Sequence, residues 1–398
     1  MIDQKPRVLS KPILLIAISH IFADLSVGAL PILLPFFKNA FGLTYAQVGI
    51  IVLVQNFTSS TIQPVFGYIT DRLKMPWLVP AGLLLAGLGT AATGLANSYH
   101  VLLMIVVITG LGVAAFHPQA AKTVHTLSAV HNRGQNMAIY SVGGNLGQAC
   151  GSVFMMALLT LPGTMNNTLY FCLPALVLSA LLWWKLPKES PDHLTRSTEK
   201  KESLNSPIPY ALLAILLLYI LFRSSISAGL TTYIPLYYAD YLGGSHVYAS
   251  YLLSGYLLSG VPGTYIGGIL GDRFGRKTVI MGSMVLTLPL LSLLKVVTGF
   301  WTFPLVVAIG FIYISSFSST IVLAQEMMPG HEALAASLTL GFSIGLGGIA
   351  VTVLGYVADH FGVPSVFVVL SAIPLAALSI AYFLPGRLFR RDNAVARG

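Results

Sequence analysis

Apolar residues run along this chain in stretches of bilayer length, and polar residues gather in short breaks between them. A helix rises about 1.5 Å per residue, so about 20 residues cross a ~30 Å hydrocarbon core. The pattern predicts spans over residues 12–37, 45–69, 77–97, 101–121, 136–160 and 168–186, then 209–239, 247–270, 278–298, 302–325, 333–357 and 364–384. Backbone groups in lipid must be satisfied within helices or closed barrels, and these runs are far too long for barrel strands. The expected fold is therefore an all-α integral membrane protein of twelve transmembrane helices. The break between the sixth and seventh runs is the longest. It mixes Glu189, Asp192, Arg196, Glu199, Lys200, Lys201 and Glu202 with few apolar residues, which reads as a flexible linker. The expected organisation is a six-helix half over 1–187, a cytoplasmic linker over 188–208 and a second half over 209–398 with a short basic tail.

Composition agrees with the pattern. Hydrophobic residues make up 55% of the 398 and charged residues 9%, against about 25% charged in soluble domains. The net charge of +9 does not imply nucleic acid, because the charges are confined to loops and tails. Lys38 and Lys295 fall toward one face and Arg223 lies within a span. The other Lys and Arg residues sit in the tails, the linker, the even-numbered loops or the span ends beside them. That bias places those regions and both termini in the cytoplasm. The tail residues Arg387, Arg390, Arg391 and Arg397 suit anionic lipid headgroups. Met1 to Lys11 is polar and basic, and the run after it is too long for a signal-peptide core, so a retained first span is expected. Cys150 and Cys172 lie in apolar runs with no CxxC spacing, so packing rather than a disulfide or metal framework is expected.

Charge at mid-bilayer is costly, at least ~2.5–3.5 kcal/mol per group, so each instance needs a partner or a function. Asp24 lies about 18 Å into the first span and Arg223 about 21 Å into the seventh. At matching depth the two could face each other across a central cavity, either as a static pair or as one for which proton and substrate compete. His20 lies four residues before Asp24, on the same helical face. The two form a candidate proton relay, or His20 is a packed and hydrogen-bonded imidazole. His117 precedes Pro118, where a kink is expected. Aromatic and amide candidates for a cavity lining are Gln55, Asn56, Tyr140, Asn145, Tyr219, Tyr233 and Tyr256. Gly143, Gly147 and Gly151, and Gly341, Gly345 and Gly348, are expected where helices of the two halves approach closely. No phosphate loop, HExxH or nucleophile elbow is present in context. An ion gradient or the substrate's own gradient is left as the energy source, with no cofactor.

One loop cluster occurs twice. Gly67-Tyr-Ile-Thr-Asp71-Arg72-Leu-Lys74 lies between the second and third runs, and Gly268-Ile-Leu-Gly-Asp272-Arg273-Phe-Gly275-Arg276-Lys277 between the eighth and ninth. The repeat resembles the loop motif of the major facilitator superfamily of secondary transporters, whose two six-helix halves are pseudo-symmetric. The second copy matches the full motif; the first departs after Arg72. The resemblance implies a gating role for these residues and for Glu326. Ser19-His20-Ile-Phe-Ala-Asp24, Met75-Pro76-Trp77, Phe116-His117-Pro118, Val142-Gly143-Gly144-Asn145 and Ala324-Gln325-Glu326 narrow the match. Together they are similar to the fosmidomycin-resistance branch. That resemblance implies a monomeric, proton-driven efflux protein of the bacterial inner membrane. Asp24 with His20 would be the proton site, and Arg223, His117 and Asn145 with the aromatic and amide residues would meet a small anionic or amphipathic substrate. The fifth-span proline and fourth-span arginine of many drug antiporters are absent. Import of a nutrient by symport or uniport stays open, and so does a non-transporting receptor or scaffold.

Overall fold

The computed structural model describes residues 11–73, 75–128, 132–163, 165–186, 210–328 and 332–386. The expected linker, both tails, Lys74 and the side chains of Asp71 and Gly341 lie outside them. The first half comprises α1 (Lys11–Phe41), α2 (Tyr45–Asn56), α3 (Gln63–Arg72), α4 (Leu78–Ala92), α5 (Tyr99–Leu127), α6 (Arg133–Leu159) and α7 (Cys172–Lys185). The second comprises α8 (Tyr210–Pro235), α9 (His246–Phe274), α10 (Arg276–Leu293), α11 (Thr302–Ile314), α12 (Ser316–Met327), α13 (Glu332–Phe361) and α14 (Val363–Ala381). These make twelve crossings. The second is α2, a π-turn over Phe57–Thr61 and α3; the tenth is α11 and α12, divided at Ser315. Pro118 does not end its helix, because α5 continues to Leu127. His117 Nδ1 takes the Val113 carbonyl, not the Ala114 carbonyl that Pro118 deprives of a helical N–H.

The fifth-span glycines pack differently from expectation. They do not lie between the halves; they bring α6 against α1 in the same half. A Cβ at Gly143 would lie 2.6 Å from the Ala17 carbonyl oxygen, and one at Gly151 would lie 2.5 Å from the Gly28 carbonyl carbon. The eleventh-span glycines do join the halves. A Cβ at Gly348 would meet Leu53 Cα at 2.9 Å, and one at Gly355 would meet Ala46 Cα at 2.7 Å. The difference is one of azimuth, which a spacing of four residues does not specify.

The seam between halves is shut at one end and parted at the other. Ser152 of α6 and Ser254 of α9 are buried and bond each other at 3.2 Å. Ser141, Asn145 and Gln148 share the helical face of Ser152 but are exposed, as are Leu258, Val261 and Tyr265 on the face of Ser254. Both exposed stripes run toward the face that carries Lys11, the start of α6 and the end of α9. The shut end lies beside Lys38, Tyr45 and Phe361.

Candidate functional site

Mid-span, α1 presents His20 and Asp24 one turn apart, and α5 brings His117 against them. Asp24 Oδ1 lies 3.0 Å from His117 Nε2, and Asp24 Oδ2 lies 3.4 Å from His20 Nε2. Both rings are held from behind. His20 Nδ1 lies 2.7 Å from the Tyr140 carbonyl oxygen and His117 Nδ1 2.8 Å from that of Val113. Tyr140 stacks on His20 at 4.0 Å, and its hydroxyl donates to the His117 carbonyl at 3.3 Å. Gly144 leaves the room: a Cβ there would stand 2.5 Å from His20 Nε2 and 2.6 Å from Asp24 Oδ2. In the sequence Gly144 stood out only as part of the Val142-Gly143-Gly144-Asn145 string, and the close-packing role was expected of Gly143 and Gly147 instead.

Hydrogen-bond bookkeeping fixes what the cluster can do. A carbonyl only accepts, so each Nδ1 carries its proton. A neutral ring so held has a lone pair on Nε2, and both Nε2 atoms face a carboxylate that, ionised, has only lone pairs. With no further proton, lone pairs oppose lone pairs at both contacts and the net charge is −1. One added proton satisfies one contact and makes the cluster neutral; a second satisfies both and makes it +1. The ligand atoms of all three residues lie within 4.8 Å of one another, close enough to surround one small cation.

Arg223 lies apart, in the second half. It is 5% exposed, and its Nε donates to Ser316 Oγ at 3.4 Å. The Tyr313 and Phe317 rings lie 5.0 and 5.1 Å from its guanidinium carbon, and the Tyr313 hydroxyl donates to its backbone carbonyl. No carboxylate among the described residues pairs with it. The expected encounter of Asp24 and Arg223 is therefore absent: matching depth sets height, and each side chain turns into its own half. Tyr219 and Tyr256 are fully buried, and among the described residues their hydroxyls make no close hydrogen bond, only weak contacts to Ser316 and Ser227. Tyr233 bonds the Val351 carbonyl at 3.3 Å, within the second half. Gln55 is buried beside a small cavity with Ser26, Thr90, Thr93 and Thr109, inside the first half. Asn56 is half-buried at the α2–α13 contact, and Asn145 stands exposed on the parted seam.

Among the described residues, the contacts of the repeated loop residues lie within their own halves. Arg276 Nη2 meets Asp272 Oδ1 at 2.6 Å, and its Nε lies 3.5 Å from Glu326 Oε1. Gly275 turns the chain at φ +95°, a conformation that side chains resist. Gly268 lies on α9 beside Ser318. Arg273 lies over the Phe274 ring, and Lys277 donates to the Tyr382 carbonyl. In the first copy Arg72 lies over the Tyr68 ring at 4.3 Å, and Thr70 bonds the Gly67 carbonyl.

At the shut face a polar latch crosses the seam. Lys38 Nζ lies 3.2 Å from Asp240 Oδ2, to which the Tyr45 hydroxyl donates at 2.9 Å. The Asp359 carboxylate accepts the Tyr45 and Ala46 backbone N–H groups at 2.7 and 2.9 Å. An acid from one half thus caps a helix of the other, where the helix dipole favours negative charge. Asp240 and Asp359 were not singled out from sequence; acids at the ends of the seventh and eleventh runs, opposite Lys38, were the available signal.

The sequence profile of the Major Facilitator Superfamily matches residues 16–350 and 215–397. The chain is 32% identical over 374 residues to the fosmidomycin resistance protein of Escherichia coli (strain K12), covering 93% of this chain and 91% of that one. It is also 32% identical over 390 residues to the uncharacterized MFS-type transporter YfnC of Bacillus subtilis (strain 168), covering 96% and 95%. A bacterial homologue of the human lysosomal transporter Spinster, solved in an inward-facing and occupied conformation, shares the fold with a TM-score of 0.81 at 16% identity, over 96% of this chain and 98% of that one. The chain belongs to the Major Facilitator Superfamily, near its fosmidomycin-resistance branch, and is a multi-pass inner-membrane transporter of a small molecule rather than an enzyme.

Proposed function

We propose that this transporter is a proton-coupled antiporter that expels a small anionic or amphipathic compound. The carrying observation is the His20–Asp24–His117 cluster, in which both Nδ1 donors are committed and the two contacts to Asp24 need at least one exchangeable proton. An ionised Asp facing two lone pairs at span depth is costly, at least ~2.5–3.5 kcal/mol. Loss of the proton therefore favours a conformation that gives Asp24 water or another donor, and rocking of the halves supplies one. The basic residues at the parted face support a cytoplasmic placement of that face and of both chain ends. The seam is then open inward and the Lys38–Asp240 latch closes the outside. The halves, joined through the 188–208 linker, work as one monomer, and the proton gradient is the sole energy source. Efflux is the direction because the name of the Escherichia coli relative ties that protein to drug resistance.

Because Asp24 and Arg223 do not touch, proton and substrate do not compete for one ion pair. Coupling runs through the position of α1, which carries Asp24 and also, about 21 Å further along, the latch residue Lys38. The test is proton movement in proteoliposomes containing a trapped pH dye, with fosmidomycin as the first compound and then other phosphonates, carboxylates, siderophore-like acids and cationic dyes. Compound added to one side should drive protons the opposite way, and Asp24→Asn should abolish the signal. Protons moving with the compound would replace antiport by symport. An undiminished signal in the variant would remove Asp24 as the carrier.

A further inference from the structure

The second half holds a buried cation that no carboxylate among the described residues neutralises. Among those residues the guanidinium of Arg223 has one hydrogen-bond partner, the Ser316 hydroxyl, which Nε–H meets at a long 3.4 Å. Tyr313 and Phe317 cover the faces of the guanidinium. Rings stabilise a cation from its faces and leave the in-plane N–H edge unserved. The Tyr219 and Tyr256 hydroxyls are fully buried and make no close hydrogen bond among the described residues, with only weak contacts to Ser316 and Ser227, and both lie within electrostatic reach of the guanidinium. Buried polar groups are ordinarily paired and buried charges neutralised, so an unneutralised arginine beside two poorly served phenols calls for an explanation. Ser316, which holds Arg223, opens α12 just past Ser315, where the tenth span keeps helical dihedrals (φ −55°, ψ −30°).

We propose that Arg223, Tyr219 and Tyr256, beside Ser316 at mid-span in the second half, bind the oxyanion head of the transported molecule: a carboxylate, phosphonate, phosphate or sulfonate. The inference rests on the transporter reading above and names the chemistry of its substrate. An oxyanion is acceptor-only and takes the guanidinium edge side-on through two oxygens. The two phenol hydroxyls then donate to the remaining lone pairs. A cationic ligand would leave the guanidinium edge unserved and add repulsion, and a neutral one would leave the buried charge without a counter-ion. Tyr233 is outside the set because its hydroxyl already has the Val351 carbonyl.

Binding is measured on purified protein in detergent without any gradient, so loss of proton coupling leaves the assay untouched. The probes are benzoate, methylphosphonate, inorganic phosphate and methanesulfonate, with benzamide and benzamidinium as the neutral and cationic counterparts. At least one anion should raise Tm saturably, and benzamide and benzamidinium should not. Arg223→Gln should weaken that anion by about tenfold or more, the loss expected when a charged hydrogen-bond partner is removed. Tyr219→Phe and Tyr256→Phe guard against an unfolded Arg223 variant. Removing a poorly served buried hydroxyl should leave the ligand-free Tm equal or higher while shrinking the anion-induced shift. If either Phe variant lowers the ligand-free Tm and leaves the shift intact, the tyrosines are structural and the proposal falls. It also falls if no anion stabilises the wild type, or if benzamidinium does so through Arg223. An Asp24→Asn protein that still binds the anion but no longer moves protons supports both readings. A protein that moves protons with a substrate yet ignores Arg223→Gln overturns this site alone.

Discussion

Gly144→Ala separates the proton site from the helix packing around it. The new Cβ would lie 2.5 Å from His20 Nε2 and 2.6 Å from Asp24 Oδ2, so these side-chain ends must retreat by about 1 Å to reach ordinary contact. Both can retreat, because they are the tips of rotatable side chains and Asp24 keeps some exposed surface. The retreat lengthens contacts now at 3.4 and 3.0 Å past hydrogen-bonding range. Alanine also improves the helix by about 1 kcal/mol over glycine, so the net stability change should be within about 1 kcal/mol of zero. Gly151→Ala is the control. Its Cβ would meet Gly28 carbonyl carbon and Cα at 2.5 and 2.6 Å and the Leu25 carbonyl oxygen at 2.7 Å. Backbone cannot rotate away, so α1 and α6 must separate, at a cost of about 1–3 kcal/mol of overpacking. Thermal unfolding in detergent and pH-gradient-driven transport in proteoliposomes are measured on both. Gly144→Ala should keep its Tm and lose most of the coupled transport; Gly151→Ala should lose several degrees. Coupled transport at the wild-type rate in Gly144→Ala would refute the geometry on which the proton assignment rests.

Three further outcomes are expected. Asp240→Asn removes the charge that meets Lys38 while keeping a hydrogen-bond acceptor for Tyr45, so spin-label distances across the latch face should lengthen in a larger fraction of molecules; an unchanged distribution would make the latch ornamental. Arg223→Lys keeps the charge and loses the fork, so it should retain partial transport where Arg223→Gln retains none, and equal loss in both would point to shape rather than charge. Asp272→Asn should release Arg276 toward Glu326 and slow turnover with little effect on substrate affinity, and a large rise in KM at unchanged kcat would contradict a gating role.

The twelve spans were legible because lipid demands long apolar helices, and the His20–Asp24 pair because residues four apart share a helical face. The identity of the third member was partly legible: His117 stood in a distinctive string, but nothing in sequence gave the azimuth that turns it to Asp24. Arg223 shows the same limit. Its depth matched that of Asp24, yet it bonds Ser316 in its own half, because height along a helix says nothing about which neighbour lies beside it. The latch escaped because Asp240 and Asp359 look like ordinary span-end acids until folding brings them to Lys38 and to the first turn of α2. In each case a local pattern was readable and a contact between distant segments was not.

The arrangement makes α1 the element through which the two ends of the molecule are joined. One of its faces lies backbone-to-backbone on α6 through Gly28 and the α6 glycines, so the two helices move together. Asp24 stands at mid-length and Lys38 near the end, with Pro31 and Pro35 between them, so displacement at Asp24 reaches Lys38 through a segment able to bend. His117, by contrast, is held on α5 by its own helix carbonyl. A change in proton count at Asp24 alters the attraction between α1 and α5, and any tilt that follows reaches Lys38 at the latch. Asp240 on the other side of that latch continues directly from α8, the helix of Arg223. An anion drawn onto Arg223 would therefore act on the same contact from the second half. On the proposed reading proton and substrate need no shared site: each would pull on one side of the Lys38–Asp240 bridge, and transport in opposite directions would follow if only one of the two can be bound when the bridge opens. A double variant, Lys38→Ala with Asp240→Asn, should accordingly keep anion binding in detergent and proton exchange at Asp24, yet let each flow without the other. Tight coupling in that variant would place the connection elsewhere, with the α2–α13 contact and its Asp359 cap as the next element to test.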